Sequence, residues 1–134
     1  IIFFLCFLII ENMPYYKEKN ILFIHIPKTG GTVIENQLKT KFKQSLYGGI
    51  IRTSPYNGGS PQHLFYKTIF EHKEKLNVDF QNIKVFCVVR NPYDRILSFY
   101  FWSKGKNNQV FNRNEFINFI INPIFKFHFI SIFI

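Results

Sequence analysis

The stretch Phe23-Ile24-His25-Ile26-Pro27-Lys28-Thr29-Gly30-Gly31-Thr32 runs an apolar segment into a Lys-Thr-Gly-Gly-Thr turn. The chemistry it offers is anion capture. Lys28 brings a mobile full charge, and Thr29 and Thr32 bring hydroxyl donors. Gly30 and Gly31 let the backbone approach an anion with no Cβ in the way. A strand before the turn and a helix after it would add unpaired helical N–H groups and their partial positive charge at the same point.

A second basic turn, Val88-Val89-Arg90-Asn91-Pro92-Tyr93-Asp94-Arg95, ends another apolar run. Arginine grips phosphate with a fixed two-pronged fork. Ser98, in the helix expected after Pro92, would share that phosphate. Each turn also has a plain structural explanation: a strand–helix turn that needs two glycines, and a helix start with a local Asp94–Arg95 pair. The Walker A pattern G-x-x-x-x-G-K-[ST] is not met, because Lys28 precedes its glycines. The pair of turns points to a nucleotide-linked anionic donor, with the Lys28 ammonium and the Arg90 guanidinium at the mouth of one sheet.

With both turns read together, the chain resembles the sulfotransferases that use 3′-phosphoadenosine 5′-phosphosulfate. It is most similar to the branch acting on carbohydrates, which includes the heparan and dermatan sulfate 2-O-sulfotransferases. The residues that carry the resemblance are His25 to Thr32 and Val88 to Tyr100, and the likeness extends from about Ile21 to about Ile121. It implies that Lys28, Thr29, Gly30, Gly31 and Thr32 grip the 5′-phosphosulfate, while Arg90 and Ser98 hold the 3′-phosphate. It implies an α/β fold, a parallel sheet flanked by helices of the P-loop-NTPase-like sulfotransferase type, incomplete in this chain. The donor is then a co-substrate, no metal is needed, and the acceptor is a carbohydrate such as a glycosaminoglycan.

Sulfuryl transfer asks for in-line positioning and for neutralisation of charge on the leaving oxygen. Lys28 suits the second task. The acceptor hydroxyl needs a base, and histidine serves near neutral pH. The candidate is His63, in Ser60-Pro61-Gln62-His63, where related carbohydrate enzymes often carry a histidine; the plain alternative is a surface or core-edge residue. His25 reads as packing against or orienting the loop, and His72 as solvated. Glu35 is a weaker base candidate than a partner of the helix dipole. Tyr100 and Trp102 read as core aromatics rather than as a stacking platform.

These side chains need elements to hold them. Ile21 to Ile26 reads as a buried parallel strand. Thr32 opens a helix whose apolar stripe is Val33, Ile34, Leu38 and Phe42, set against Glu35, Asn36, Lys39 and Lys43. Residues 47–59 read as a loop, and Ser60-Pro61 as a start signal for a helix from Gln62 to Leu76. A second strand covers Ile83 to Val89, with Cys87 as a small buried hydrophobe. Helices follow over Tyr93 to Trp102 and Glu115 to Ile121. Strands alternating with helices give an α/β layered domain.

The chain has 134 residues, is 47% hydrophobic, and has 6 Pro and 7 Gly, which excludes disorder over most of its length. Its net charge of +9 attracts any polyanion, but no nucleic-acid reading motif accompanies it. Two cysteines make no disulfide framework, and the four histidines form no zinc pattern. Residues 1–12 form an apolar segment, read either as a cut signal-anchor or as upstream translation before Met13. Residues 13–121 form the N-terminal part of the domain, and residues 122–134 an apolar tail. An anchor would place the domain on the Golgi lumen side of a membrane; without one it is cytoplasmic. Two competing functions stand beside sulfuryl transfer: a truncated non-catalytic remnant of the family and a P-loop nucleotide kinase.

Overall fold

A computed structural model describes residues 12–46, 60–105 and 110–122. Among these are strands β1 (Asn12–Met13), β2 (Tyr15–Tyr16), β3 (Ile21–Ile24), β4 (Ser45–Leu46) and β5 (Lys84–Cys87). The helices are α1 (Gly31–Lys39), α2 (Tyr66–Glu71), α3 (Pro92–Ser103) and α4 (Arg113–Ile121). The main sheet has the order β2-β3-β5, and β1 pairs separately with β4.

The sheet is mixed rather than purely parallel. β3 and β5 run parallel in the register Leu22↔Val85 and Phe23↔Phe86, but β2 lies antiparallel to β3. The reason is local. The short connection Lys17–Lys19 is a 3₁₀ turn, closed by Asn20 in the left-handed region at φ 51°. A tight return of this kind can only make an antiparallel pair.

β3 carries the core on both faces, as the pleat requires. Leu22 joins Met13, Tyr15, Leu64, Ile69, Leu76 and Val78 in the main cluster. Phe23, on the opposite face, meets Phe86 at 5.0 Å and the His25 ring at 5.5 Å. Among the described residues β5 is an edge strand: Lys84 to Cys87 are all exposed, so Cys87 is a surface thiol and not the buried residue its apolar setting suggests.

The helix expected from Gln62 to Leu76 is broken. Pro61–His63 form a 3₁₀ turn, and Phe65 is extended at ψ 148°. Only Tyr66–Glu71 is α-helical, and turns lead on to Asn77 at φ 53°. α3 begins as the sequence directs. Pro92 occupies the first turn, and the Asn91 side chain accepts from the amide of Tyr93 at 2.9 Å. Tyr100 is buried among Phe111, Phe116 and Phe119, tying α3 to α4 as a core aromatic. The loop at residues 47–59, the N-terminal segment and the tail from Pro123 onward lie outside the described residues. Among the described residues no helix is long and apolar enough to cross a membrane.

Candidate functional site

The turn between β3 and α1 is held from behind. Arg95 Nε donates to the carbonyl of Pro27 at 2.9 Å, and Arg90 Nη1 donates to the carbonyl of Lys28 at 3.4 Å. Two successive carbonyls are thus tied to the start of α3. Lys28 itself lies in the left-handed region at φ 67°. A non-glycine residue there carries strain that the surrounding contacts must hold.

The two glycines serve different purposes. Gly30 caps α1 at φ 89° with open space around its Cα hydrogens, so its requirement is conformational. Gly31 has an ordinary φ, but a Cβ there would overlap the imidazole of His25. Its smallness therefore makes room for a protein side chain. Thr29, expected among the anion donors, turns inward: it is buried, and its hydroxyl donates to the carbonyl of Ile26 at 2.8 Å. Thr32 faces the cleft.

Two adjoining clefts open at this end of the sheet, of about 650 and 680 Å³. Lys28, Arg90, Ser98 and Trp102 line both. The first extends over Gly30, Gly31 and Thr32 to His25, Ser60 and His63. The second runs along α3, which contributes Asp94, Leu97, Ser98, Phe101 and Trp102. That spacing is one helical stripe. The residues of both basic turns therefore share one mouth, and His63 joins them.

Behind the first cleft sits a buried acid–imidazole pair. Glu35 and His25 are both buried, with Oε1 of the acid 2.6 Å from Nδ1 of the ring. Lys39 Nζ approaches the other carboxylate oxygen at 3.3 Å. Burial works to raise the Glu35 value, but the hydrogen bonds and charges of His25 and Lys39 outweigh it and hold the carboxyl below its usual range. Glu35 was expected on the polar face of α1 and Val33 on its apolar stripe. The structure reverses them, with Val33 64% exposed, because the carboxylate has a buried partner and the valine has none. The Gln62 amide also lies 2.9 Å from His25 Nδ1. The ionised carboxylate accepts the hydrogen bond from Nδ1–H.

His63 stands beside this pair. Its Nδ1 is 2.9 Å from the backbone carbonyl of His25, and its ring meets the His25 ring edge-on at 4.6 Å. A carbonyl only accepts, so Nδ1 carries the proton and Nε2 carries the lone pair. His72 bonds the carbonyl of Thr68 through Nδ1 at 3.0 Å and is half-buried rather than fully solvated.

The Lys28 ammonium lies 5.7 Å above the Trp102 ring. Burial first, and the neighbouring Arg90 charge second, lower its proton affinity. Burial likewise lowers that of Arg95. Among the described residues no group of three or more His, Cys, Asp or Glu side chains is placed to hold a metal ion.

Comparison with protein families matches residues 12–128 to the sulfotransferase family. The chain belongs to the sulfotransferase family. No curated protein and no solved structure matches it.

Within this sulfotransferase domain, three residues at or behind the clefts were not legible in these places. Trp102 was read as core, yet it is 65% exposed and lines both clefts. Its position four residues after Ser98 on α3 was the available signal. The plain explanation of the second turn pairs Arg95 with Asp94, but Arg95 reaches back to the turn after β3. Glu35 had no sequence signal for burial beyond its place four residues before Lys39.

Proposed function

We propose that this sulfotransferase moves a sulfuryl group from 3′-phosphoadenosine 5′-phosphosulfate to a hydroxyl of a carbohydrate, glycosaminoglycans being one candidate class. The observation that supports it is the shared mouth: Lys28, Arg90 and Ser98 line the same two clefts, and Arg90 touches the Lys28 backbone. In this reading Lys28, Gly30, Gly31 and Thr32 hold the 5′-phosphosulfate, with Thr29 shaping the turn from inside. Arg90 and Ser98 hold the 3′-phosphate. The arrangement is P-loop-like in its logic, with a strand, a glycine turn and a helix N-terminus around one anion. If residues 1–12 belong to an anchor, the reaction takes place on the Golgi lumen side.

The chemistry follows from the positions. The acceptor oxygen attacks sulfur while the bond from sulfur to the 5′-phosphate oxygen breaks. The acceptor proton passes to His63 Nε2, and the Lys28 ammonium neutralises the leaving oxygen. Loss of such a contact costs on the order of 2.7–4 kcal/mol in barrier, so Lys28→Ala should slow transfer by about two to three orders of magnitude.

Labelled-sulfate transfer from the donor to a panel of glycans tests this. Transfer that is abolished in both Lys28→Ala and His63→Ala supports it. Absence of transfer to every glycan, or transfer undiminished in both variants, contradicts it. A second reading is a domain that binds the nucleotide without transferring sulfate. It is favoured by the uncovered β5 edge, where Val85 and Phe86 are exposed although parallel strands are ordinarily covered on both faces. Transfer by the chain alone would eliminate it.

A further inference from the structure

We infer that His25 is a positioning residue that couples the anion cradle to the base, and that buried Glu35 locks it. The inference rests on the proposed roles of the cradle and of His63, and its first readout does not depend on transfer.

His25 is the first residue past the last paired position of β3, Ile24↔Cys87. It touches both halves of the proposed reaction centre through different parts. Its ring fills the space that a Cβ at Gly31 would occupy, so the N-terminus of α1 can sit only where that ring allows. Its backbone carbonyl takes the Nδ1 proton of His63, and its ring edge meets the His63 ring at 4.6 Å. The residue that sets the height of the cradle therefore also fixes the tautomer of the base.

A hub of this kind must not rotate. Glu35 prevents that from within the helix that the cradle caps. It accepts from His25 Nδ1 at 2.6 Å, with both groups buried, and Lys39 bonds its second oxygen. The contacts close a loop in space: β3 to the Gly31 turn, turn to α1, and α1 back to the His25 ring through Glu35. Charge-assisted bonds between buried groups hold geometry more tightly than neutral ones. A loose supporting shell is a common way for a site to lose function. Glu35 touches neither cleft and is not among their lining residues. Its link to the cleft lining runs through His25.

The test is imidazole ¹⁵N NMR on the full chain and on Glu35→Gln, with His63→Gln used for assignment. It is paired with calorimetry using 3′,5′-adenosine bisphosphate. In the unaltered protein His25 and His63 should both carry the proton on Nδ1. In folded Glu35→Gln, His63 should become a mixture of tautomers and the nucleotide Kd should weaken by roughly tenfold or more. A His63 protonated on Nε2 in the unaltered protein overturns the inference. So does a variant that retains both the His63 tautomer and a Kd within about twofold. Should Glu35→Gln not fold, the tautomer in the unaltered protein decides alone. Failure of the unaltered protein to bind the nucleotide would instead count against the proposed function and leave the tautomer result standing.

Discussion

Arg90 donates to the backbone carbonyl of Lys28, joining the end of one parallel strand to the turn after its neighbour. This contact ties the two basic turns together. Burial first, and the Arg90 charge second, lower the proton affinity of the lysine, and a bound anion offsets the second of these.

That arrangement makes nucleotide binding depend on pH. The Lys28 ammonium titrates below the ordinary 10.5. Affinity for 3′,5′-adenosine bisphosphate should be full while the ammonium is protonated. It should fall as pH rises through the lowered value, before an ordinary lysine would titrate. Lys28→Arg should abolish this limb, because a guanidinium stays charged. Calorimetric Kd values across the alkaline range measure it.

The glycines should separate in a double-mutant cycle. Gly30→Ala meets no neighbour and should cost about 1–2 kcal/mol for its left-handed backbone, independently of His25. Gly31→Ala meets the His25 ring. Its cost should shrink in a His25→Ala background, with a coupling on the order of 0.5–3 kcal/mol. Urea unfolding of the three single and two double variants measures both. Equal coupling for the two glycines would contradict the division of roles.

Arg95→Met should remove the donor to the Pro27 carbonyl while keeping much of the side-chain volume. Hydrogen bonds from charged groups contribute roughly 1.5–3 kcal/mol, so urea unfolding should show a loss of about that size. A stability change near zero would show that the contact is incidental.

Acid should weaken the fold through Glu35. Its carboxyl titrates below the ordinary 4.5 in the folded chain, so on acidification the unfolded chain takes up this proton first. The stabilisation is present above about pH 4.5 and is lost as pH falls through the lower folded value. Thermal unfolding midpoints from pH 6 to 3, compared with Glu35→Gln, isolate the effect. The variant should lose less stability over that interval than the unaltered chain.

Much of the site was legible because it rests on short-range rules. Lys28, Gly30 and Thr32 follow a strand and open a helix, and Asn91-Pro92 opens another. What escaped was long-range. Glu35 is buried because His25 lies beneath α1, which helical periodicity cannot report. Arg95 reaches across 68 residues to Pro27, a contact that the alternative of a local Asp94 pair does not indicate. Cys87 sits in an apolar run, which usually means a buried strand, but here that strand is the sheet edge. Trp102 looked like core because aromatic residues usually are, and only the stripe from Asp94 to Trp102 would have placed it at the cleft.

The most direct test of the clamp formed by Lys28 and Arg90 is calorimetry with 3′,5′-adenosine bisphosphate on the unaltered protein, Lys28→Ala and Arg90→Ala. Both variants should bind at least about tenfold more weakly than the unaltered chain. An unaltered chain that does not bind, or two variants that bind as well as it does, would contradict the account.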